Sequence, residues 1–398
     1  VNYIVLEGHG REDIDSNIDI ARTVGWFTTM FPVRLGTGTE LGTSIKNIKE
    51  SLRQVPNKGV GYGSIIGYRE DLPRISFNYL GQFDQEDSGN NSLLANYWNI
   101  VGENSGESVS SANQDYNIIN INGLVINNEL QFSIVSKLAK DITAKIAGLF
   151  KERLEEIIVY TVKHDRSYLT ASDIDNIINQ EYLDKIQERK EIEGIYLANS
   201  LQQGFIYHNL NQGEVDDAYK VQIIWQYNSK IEIKLLQEAW RYAQKRFSSL
   251  RLRFAWSEEL VQIIDKEGSL DWRYIDLTKE EQFTAINTDS SDILAVQGLR
   301  IKQIQEEDRL ESYDLEHGNL FRVYIIKQRE DLYTCIFSNH HAILDGWSNP
   351  ILLGYIHETY LKLVDKRPVL FRTDRSYDYA QKYLQEHKDS NSNYWHNY

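Results

Sequence analysis

A single cysteine, Cys335, and a single methionine, Met30, occur among 398 residues. One cysteine excludes any intramolecular disulfide and nearly excludes a cysteine-based zinc site. Within its apolar run it reads as a small buried strand residue. Five prolines and 24 glycines are too few for a collagen-like or low-complexity chain. No run of about 18 apolar residues occurs, so no membrane-spanning helix is expected. The opening residues lack the basic and apolar regions of a secretory signal, and a reducing, cytoplasmic setting is expected. Positive charge is scarce as well. With 43 Lys and Arg against 58 Asp and Glu, the formal net charge is −15, so nucleic acid and anionic membranes are not expected partners. The sequence opens at Val1, and its only methionine lies inside an apolar-aromatic run, so it reads as part of a longer protein.

What is present is an ordinary globular composition, 41% hydrophobic, over a length suited to two or three folding units. Residues 1–8 read as a strand entering a Gly-rich turn, and 40–54 as a helix with Leu41, Ile45, Ile48 and Leu52 on one face. Polar patches at 84–92 and 102–114 read as solvent loops. A strand at 130–136 precedes a long helix at 141–161, with Ile142, Ile146, Leu149, Leu154, Ile157 and Ile158 at helical spacing. Charge then rises through 164–193, an ordered connector in which Ser172 is expected to cap a short helix. Beyond it, 219–229 and 231–233 have strand character, and Leu236, Ala239, Trp240, Ala243 and Phe247 mark an amphipathic helix. Residues 320–327 and 332–339 are spaced as a hairpin, followed by a helix over 350–363.

The sharpest feature is His340 to Ser348, HHAILDGWS, between an apolar strand and a helix. A strand-end loop holds side chains rigidly while exposing them to a substrate, and an imidazole suits general-base work near neutral pH. Asp345 is placed to pair with an arginine and Gly346 to permit a sharp turn. The plainer alternative is a pair of histidines that only hydrogen-bond locally. A metal site is less favoured, because adjacent strand residues point apart.

HHAILDG resembles the HHxxxDG motif of condensation domains in nonribosomal peptide synthetases, whose superfamily includes epimerization domains and is related to chloramphenicol acetyltransferase. Tyr196 to Gly204 resembles that family's opening segment, and Tyr377 to Ala380, YDYA, a later one. Arg246 to Phe254, RFSSLRLRF, resembles the motif RHExLRxxF, with Phe247 and Ser248 replacing His and Glu. The first half is similar to another branch. Glu7 to Glu12 (EGHGRE), Arg22 to Val33 (RTVGWFTTMFPV), Pro56 to Gly63 (PNKGVGYG) and Phe77 to Phe83 (FNYLGQF) follow the order of epimerization-domain motifs.

The resemblance implies two chloramphenicol-acetyltransferase-like α/β sandwich half-domains. Residues 1–163 would be the C-terminal half of an epimerization domain, 164–191 a connector, and 192–398 the N-terminal half of a condensation domain. It implies that His341 sits beside the amine of the acceptor aminoacyl thioester, taking its proton or orienting it, with His340 and Asp345 in support. Arg251 or Arg253 is the expected partner of Asp345. Glu7 would be one of the two acid/base groups at the epimerized α-carbon, the other being a histidine on the absent half. Tyr79 would stabilise the enolate-like oxygen or be a core tyrosine, and His9 and Arg11 would shape the Glu7 turn. No directly bound cofactor or metal is implied. Substrates would arrive on the 4'-phosphopantetheine of upstream and downstream peptidyl carrier domains, alongside adenylation domains and the missing halves. The altered second motif suggests the subtype that takes a D-configured donor and an L-acceptor. A non-catalytic carrier-docking linker is the alternative, and the EGHGRE and RTVGWFT sets argue against a stand-alone acyltransferase.

Overall fold

The structure is a computed structural model describing residues 2–13, 15, 17–67, 71–82, 106, 110, 112, 113, 115–126, 128–211, 217–280 and 290–387. The patch at 84–92 and most of 102–114, expected as loops, lie outside the described residues, as does Phe83. The chain forms two compact units, Val1–Asp165 and Arg166–Tyr398.

The first unit is built on a five-stranded sheet of β1 (Asn2–Gly8), β2 (Thr29–Leu35), β3 (Ile75–Gln82), β4 (Ile119–Ile126) and β5 (Glu129–Ser136). Their order is β2-β1-β3-β4-β5. β1 runs antiparallel to β2 and parallel to β3, so the sheet is mixed. Helices α1 (Leu41–Arg53), α2 (Tyr62–Ile66) and α3 (Lys140–Lys163) accompany it. Phe150 of α3 packs edge-on against Phe132 at 4.9 Å, and Phe132 faces Phe77 at 6.3 Å. The periodic stripe of α3 is nevertheless largely uncovered, with no α3 residue fully buried. A cavity of about 500 Å³ opens between this helix and β5, so much of the stripe meets no sheet.

In the second unit a mixed sheet has the order β10-β11-β12-β7, formed by β7 (Lys220–Tyr227), β10 (Asp271–Asp276), β11 (Phe321–Arg329) and β12 (Leu332–His340). β12 is central and all nine of its residues are buried, which explains its near-continuous apolar run. Cys335 lies within it, fully buried, and burial pushes its thiol pKa up. Helices α6 (Ile233–Arg246) and α8 (Ser348–Val364) share one core with β11 and β12, centred on Trp240, Phe321 and Phe337. Across the sheet, Ile301 and Ile304 of α7 (Ser290–Leu310) pack with Ile326 and Ile336. A smaller sheet, β6-β9-β8, comprises β6 (Ile192–Leu197), β8 (Leu252–Ala255) and β9 (Val261–Asp265). Helices α5 (Ser200–Asn211) and α9 (Ser376–Glu386) complete the unit. Among the described residues, no helix is long and apolar enough to cross a membrane.

Two local expectations are corrected. Residues 231–233 form no strand, because Glu232 caps α6 and Ile233 begins it. Ser172 lies inside the 3₁₀ turn Ala171–Ile174 and is not its N-cap. The 3₁₀ turn Ala171–Ile174 is capped by Thr170, whose main-chain N–H donates to Asp173 at 2.8 Å, and α4 (Gln180–Gln187) by Asn179. The segment beyond Asp165 packs into the second unit, where Ile174, Ile178 and Leu183 share a core with Ile192, Ile195 and Ile263.

Candidate functional site

The ladder between β7 and β12 ends at the pair His340–Lys220, and the chain turns there into the loop that carries HHxxxDG. Successive strand residues point to opposite faces, so the two histidines separate. His340 is buried, and the Ala342 N–H donates to its Nδ1 at 3.1 Å. That atom must therefore carry a lone pair. Burial, with His341 and Lys220 nearby, pushes its pKa down to about 4, so the ring is neutral at pH 7.

His341 is half-buried and held by three contacts. Its main-chain N–H donates to the Tyr219 carbonyl at 2.7 Å. Its ring lies nearly parallel to Phe205 of α5, with centroids 5.5 Å apart and planes 11° apart. Its Nδ1 is 2.8 Å from the Leu344 carbonyl oxygen. A carbonyl only accepts, so Nδ1 carries the proton in the neutral ring and Nε2 presents the lone pair. A nitrogen with a fixed tautomer and ring plane can accept a proton from a group placed beside it.

Helix α5 supplies a further fastening that sequence reasoning missed. Asn199 and Gln202 form a reciprocal capping box, Gln202 N–H to Asn199 Oδ1 at 2.9 Å and Asn199 N–H to Gln202 Oε1 at 3.0 Å. The remaining amide hydrogens of the buried Gln202 reach the Ala342 carbonyl at 3.0 Å. Gln262 of β9 and Tyr377 of α9 close around this amide, with Gln262 also bonded to Gln381. The opening motif and the YDYA segment thus meet behind the histidine loop. The N-x-x-Q spacing was the available signal.

Among the described residues, Asp345 pairs with no arginine. Its exposed carboxylate accepts from the Ser348 N–H at 2.8 Å and hydroxyl at 2.7 Å, tying the loop to the first turn of α8. Those bonds hold its pKa below the ordinary value. Arg251 binds Glu193 at 2.5 Å and the carbonyl of Asp265 instead, and Arg253 binds the Asp265 carboxylate at 2.8 Å and the Ile186 carbonyl. Both arginines are buried, where such partners are required. Gly346 is exposed, and a Cβ there would meet nothing within 4 Å. Its φ lies outside the left-handed region, so the turn itself does not demand glycine.

In the first unit, Glu7 is half-buried near the end of β1, opposite Asn78 of the parallel strand β3. Strand alternation then puts Tyr79 on the other face of the sheet, so Glu7 and Tyr79 are not brought together. The turn after Glu7 is tightly built. Gly10 has φ +66°, and a Cβ on it would lie 1.7 Å from the Phe27 carbonyl oxygen. Arg11 stacks its guanidinium 4.4 Å over Phe27 and donates to the Ile20 carbonyl at 2.6 Å. His9 Nδ1 accepts from the Arg11 N–H at 3.0 Å, and Glu12 is bridged to Lys58 at 2.6 Å. Among the described residues, no group of three or more His, Cys, Asp or Glu side chains is placed to hold a metal ion.

Two mixed-sheet α/β units, one ending its central strand in a histidine pair, define a condensation-type architecture. The chain belongs to the condensation-domain family, whose profile matches residues 3–176 and 192–398. It is 31% identical to bacitracin synthase 3 of Bacillus licheniformis over 99% of its own length and 6% of that protein's. It is 46% identical to the N-(5-amino-5-carboxypentanoyl)-L-cysteinyl-D-valine synthase of Amycolatopsis lactamdurans, over 50% of its length and 5% of the synthase's. The chain therefore spans a small fraction of each relative. Among solved structures, the epimerization domain from the third module of tyrocidine synthetase B is 21% identical, with a TM-score of 0.41 over 53% of this chain and 46% of that one.

Proposed function

We propose that the second unit serves peptide-bond formation in a nonribosomal peptide synthetase, between a donor and an acceptor thioester borne on the phosphopantetheine of carrier domains. In this reading the acceptor's α-amine attacks the donor thioester carbon. A C–N bond forms, the C–S bond breaks, and the amine's proton passes to His341 Nε2 and on to the departing thiolate. The observation that carries the reading is the Nδ1–H to Leu344 carbonyl bond, which leaves Nε2 as the lone-pair nitrogen. The first unit is assigned to epimerization, with residues 1–163 as the C-terminal half of that domain, 164–191 as the junction and 192–398 as the N-terminal half of the condensation domain. Glu7 is assigned one proton transfer at the α-carbon. The four ordered motifs and the tightly built turn after Glu7 support this, and Tyr79 stays a candidate for the enolate-like oxygen or a core tyrosine. Epimerization ahead of condensation equilibrates the donor between L and D, so a downstream site is useful if it takes the D-donor.

The test uses the parent synthetase with aminoacyl-loaded carriers. His341→Ala should lower peptide-bond formation by about 10²–10⁴-fold while epimerization continues. Glu7→Gln should do the reverse, and the Glu7→Gln enzyme given synthetic L- and D-donors should prefer D. Equal loss of both activities from either change would refute the assignment. Carrier binding without turnover in the unaltered enzyme would favour a docking linker instead.

A further inference from the structure

Next to the histidine loop lies a cavity of about 330 Å³, at the lower end of the ~300–1,000 Å³ of small-molecule sites. It has room for one side chain and little more. Its walls are mainly apolar, from Phe247, Leu250, Leu344, Ile351 and Tyr377, with Ser248 and Ser249 between them. Leu250 and Leu344 are buried, and Phe247 is braced edge-on against Tyr355 at 5.4 Å, so the walls are fixed. Two polar groups at its edge already have partners, whereas the buried Ser248 hydroxyl on its wall has none among the described residues. Ser348 is bonded to Asp345, and Asp374 accepts from the Ser376 N–H at 2.9 Å. A hydrocarbon group gains by entering such a space, whereas a charged one loses its water and finds only the single Ser248 hydroxyl in return.

Two features tie the cavity to the reaction. Leu344 lines it with its side chain's residue and, through its carbonyl, fixes the His341 tautomer. Phe247 and Ser248 are the two positions at which the chain departs from the RHExLRxxF pattern. That departure puts a phenyl ring and a small hydroxymethyl group on the wall, where an imidazole and a carboxylate would otherwise stand. We infer that this cavity receives the side chain of the donor residue and selects for an apolar one, with Phe247, Ser248 and Ser249 as specificity-determining residues. The inference rests on the peptide-bond-forming role proposed above and assigns the substrate class of that site.

The experiment measures single-turnover condensation in the parent synthetase carrying Glu7→Gln, with one fixed acceptor. Donors D-Ala, D-Val, D-Leu, D-Phe, D-Asp and D-Lys are loaded on the upstream carrier. D-Leu should condense about tenfold or more faster than D-Asp, and Ser249→Leu, which fills the cavity, should cut the D-Leu to D-Ala rate ratio by about tenfold. Ile351→Trp narrows the mouth from an exposed position where folding is not at stake, and should lower the D-Phe to D-Ala ratio in the same direction. A uniform change across all donors would overturn the inference. So would a size preference that follows the acceptor's side chain when the acceptor is varied instead. Absence of any peptide bond from every donor in the unmutated condensation site would instead defeat the underlying reading, and the inference with it.

Discussion

Acidification should weaken the second unit through one residue, His340. Its ring is neutral in the fold, with a pKa of about 4 against an ordinary 6.5. In the unfolded chain it takes up a proton as pH falls through 6.5, whereas the folded ring resists until about 4. The unfolded state thus binds more protons across that window, so stability rises with pH there and is lost on the way down. At about 1.4 kcal/mol per pKa unit, the full span is worth roughly 3 kcal/mol, about 2 of it gone by pH 5. The assay is hydrogen exchange of β12 and β7 peptides at pH 7 and pH 5, corrected for intrinsic rates, which reads this unit alone. His340→Gln should have lower stability at pH 7 and a much flatter pH dependence. A depressed carboxylate such as Glu191, at about 2 in the fold against an ordinary 4.5, loses its contribution from about pH 4.5 downward, below the pH 7 to 5 interval of the assay. An unchanged loss between pH 7 and pH 5 in His340→Gln would refute the reasoning.

Asp345→Ala should remove the Ser348 tie at the start of α8 and cost about 1 kcal/mol, as loss of a helix N-terminal cap does. Thermal denaturation checks this, and a loss several times larger would revive a buried ion-pair role. Gly10→Ala should displace the turn after Glu7, because its Cβ has no room beside the Phe27 carbonyl. Epimerization should fall sharply while condensation in the same protein persists.

The strand that ends in His340 was legible because it is buried on both faces, which forces an unbroken apolar run. Helix α6 was legible from Leu236, Ala239, Trp240 and Ala243, all fully buried on one face. The partner of Asp345 was not. Arg251 and Arg253 found Glu193 and Asp265 through strand pairings that a linear sequence does not display. Residues 231–233 misled because β-branched Ile231 and Ile233 favour strands locally, while packing of α6 decided the outcome. That Glu7 and Tyr79 lie on opposite faces of the sheet was not legible, because the register of β1 against β3 determines it. Gln202 was quoted within a motif, but its hold on Ala342 spans 140 positions.

The packing of the stretch after Asp165 governs how such proteins can be recombined. Leu183 is fully buried, and the Ile186 carbonyl accepts from buried Arg253, so these residues belong to the downstream core. A chimera that exchanges the downstream partner at residue 192 would leave this plug with the donor of the upstream piece. Its apolar face would then meet a foreign sheet. A crossover near Asp165 moves the plug and its socket together, making that point the natural seam between the two units.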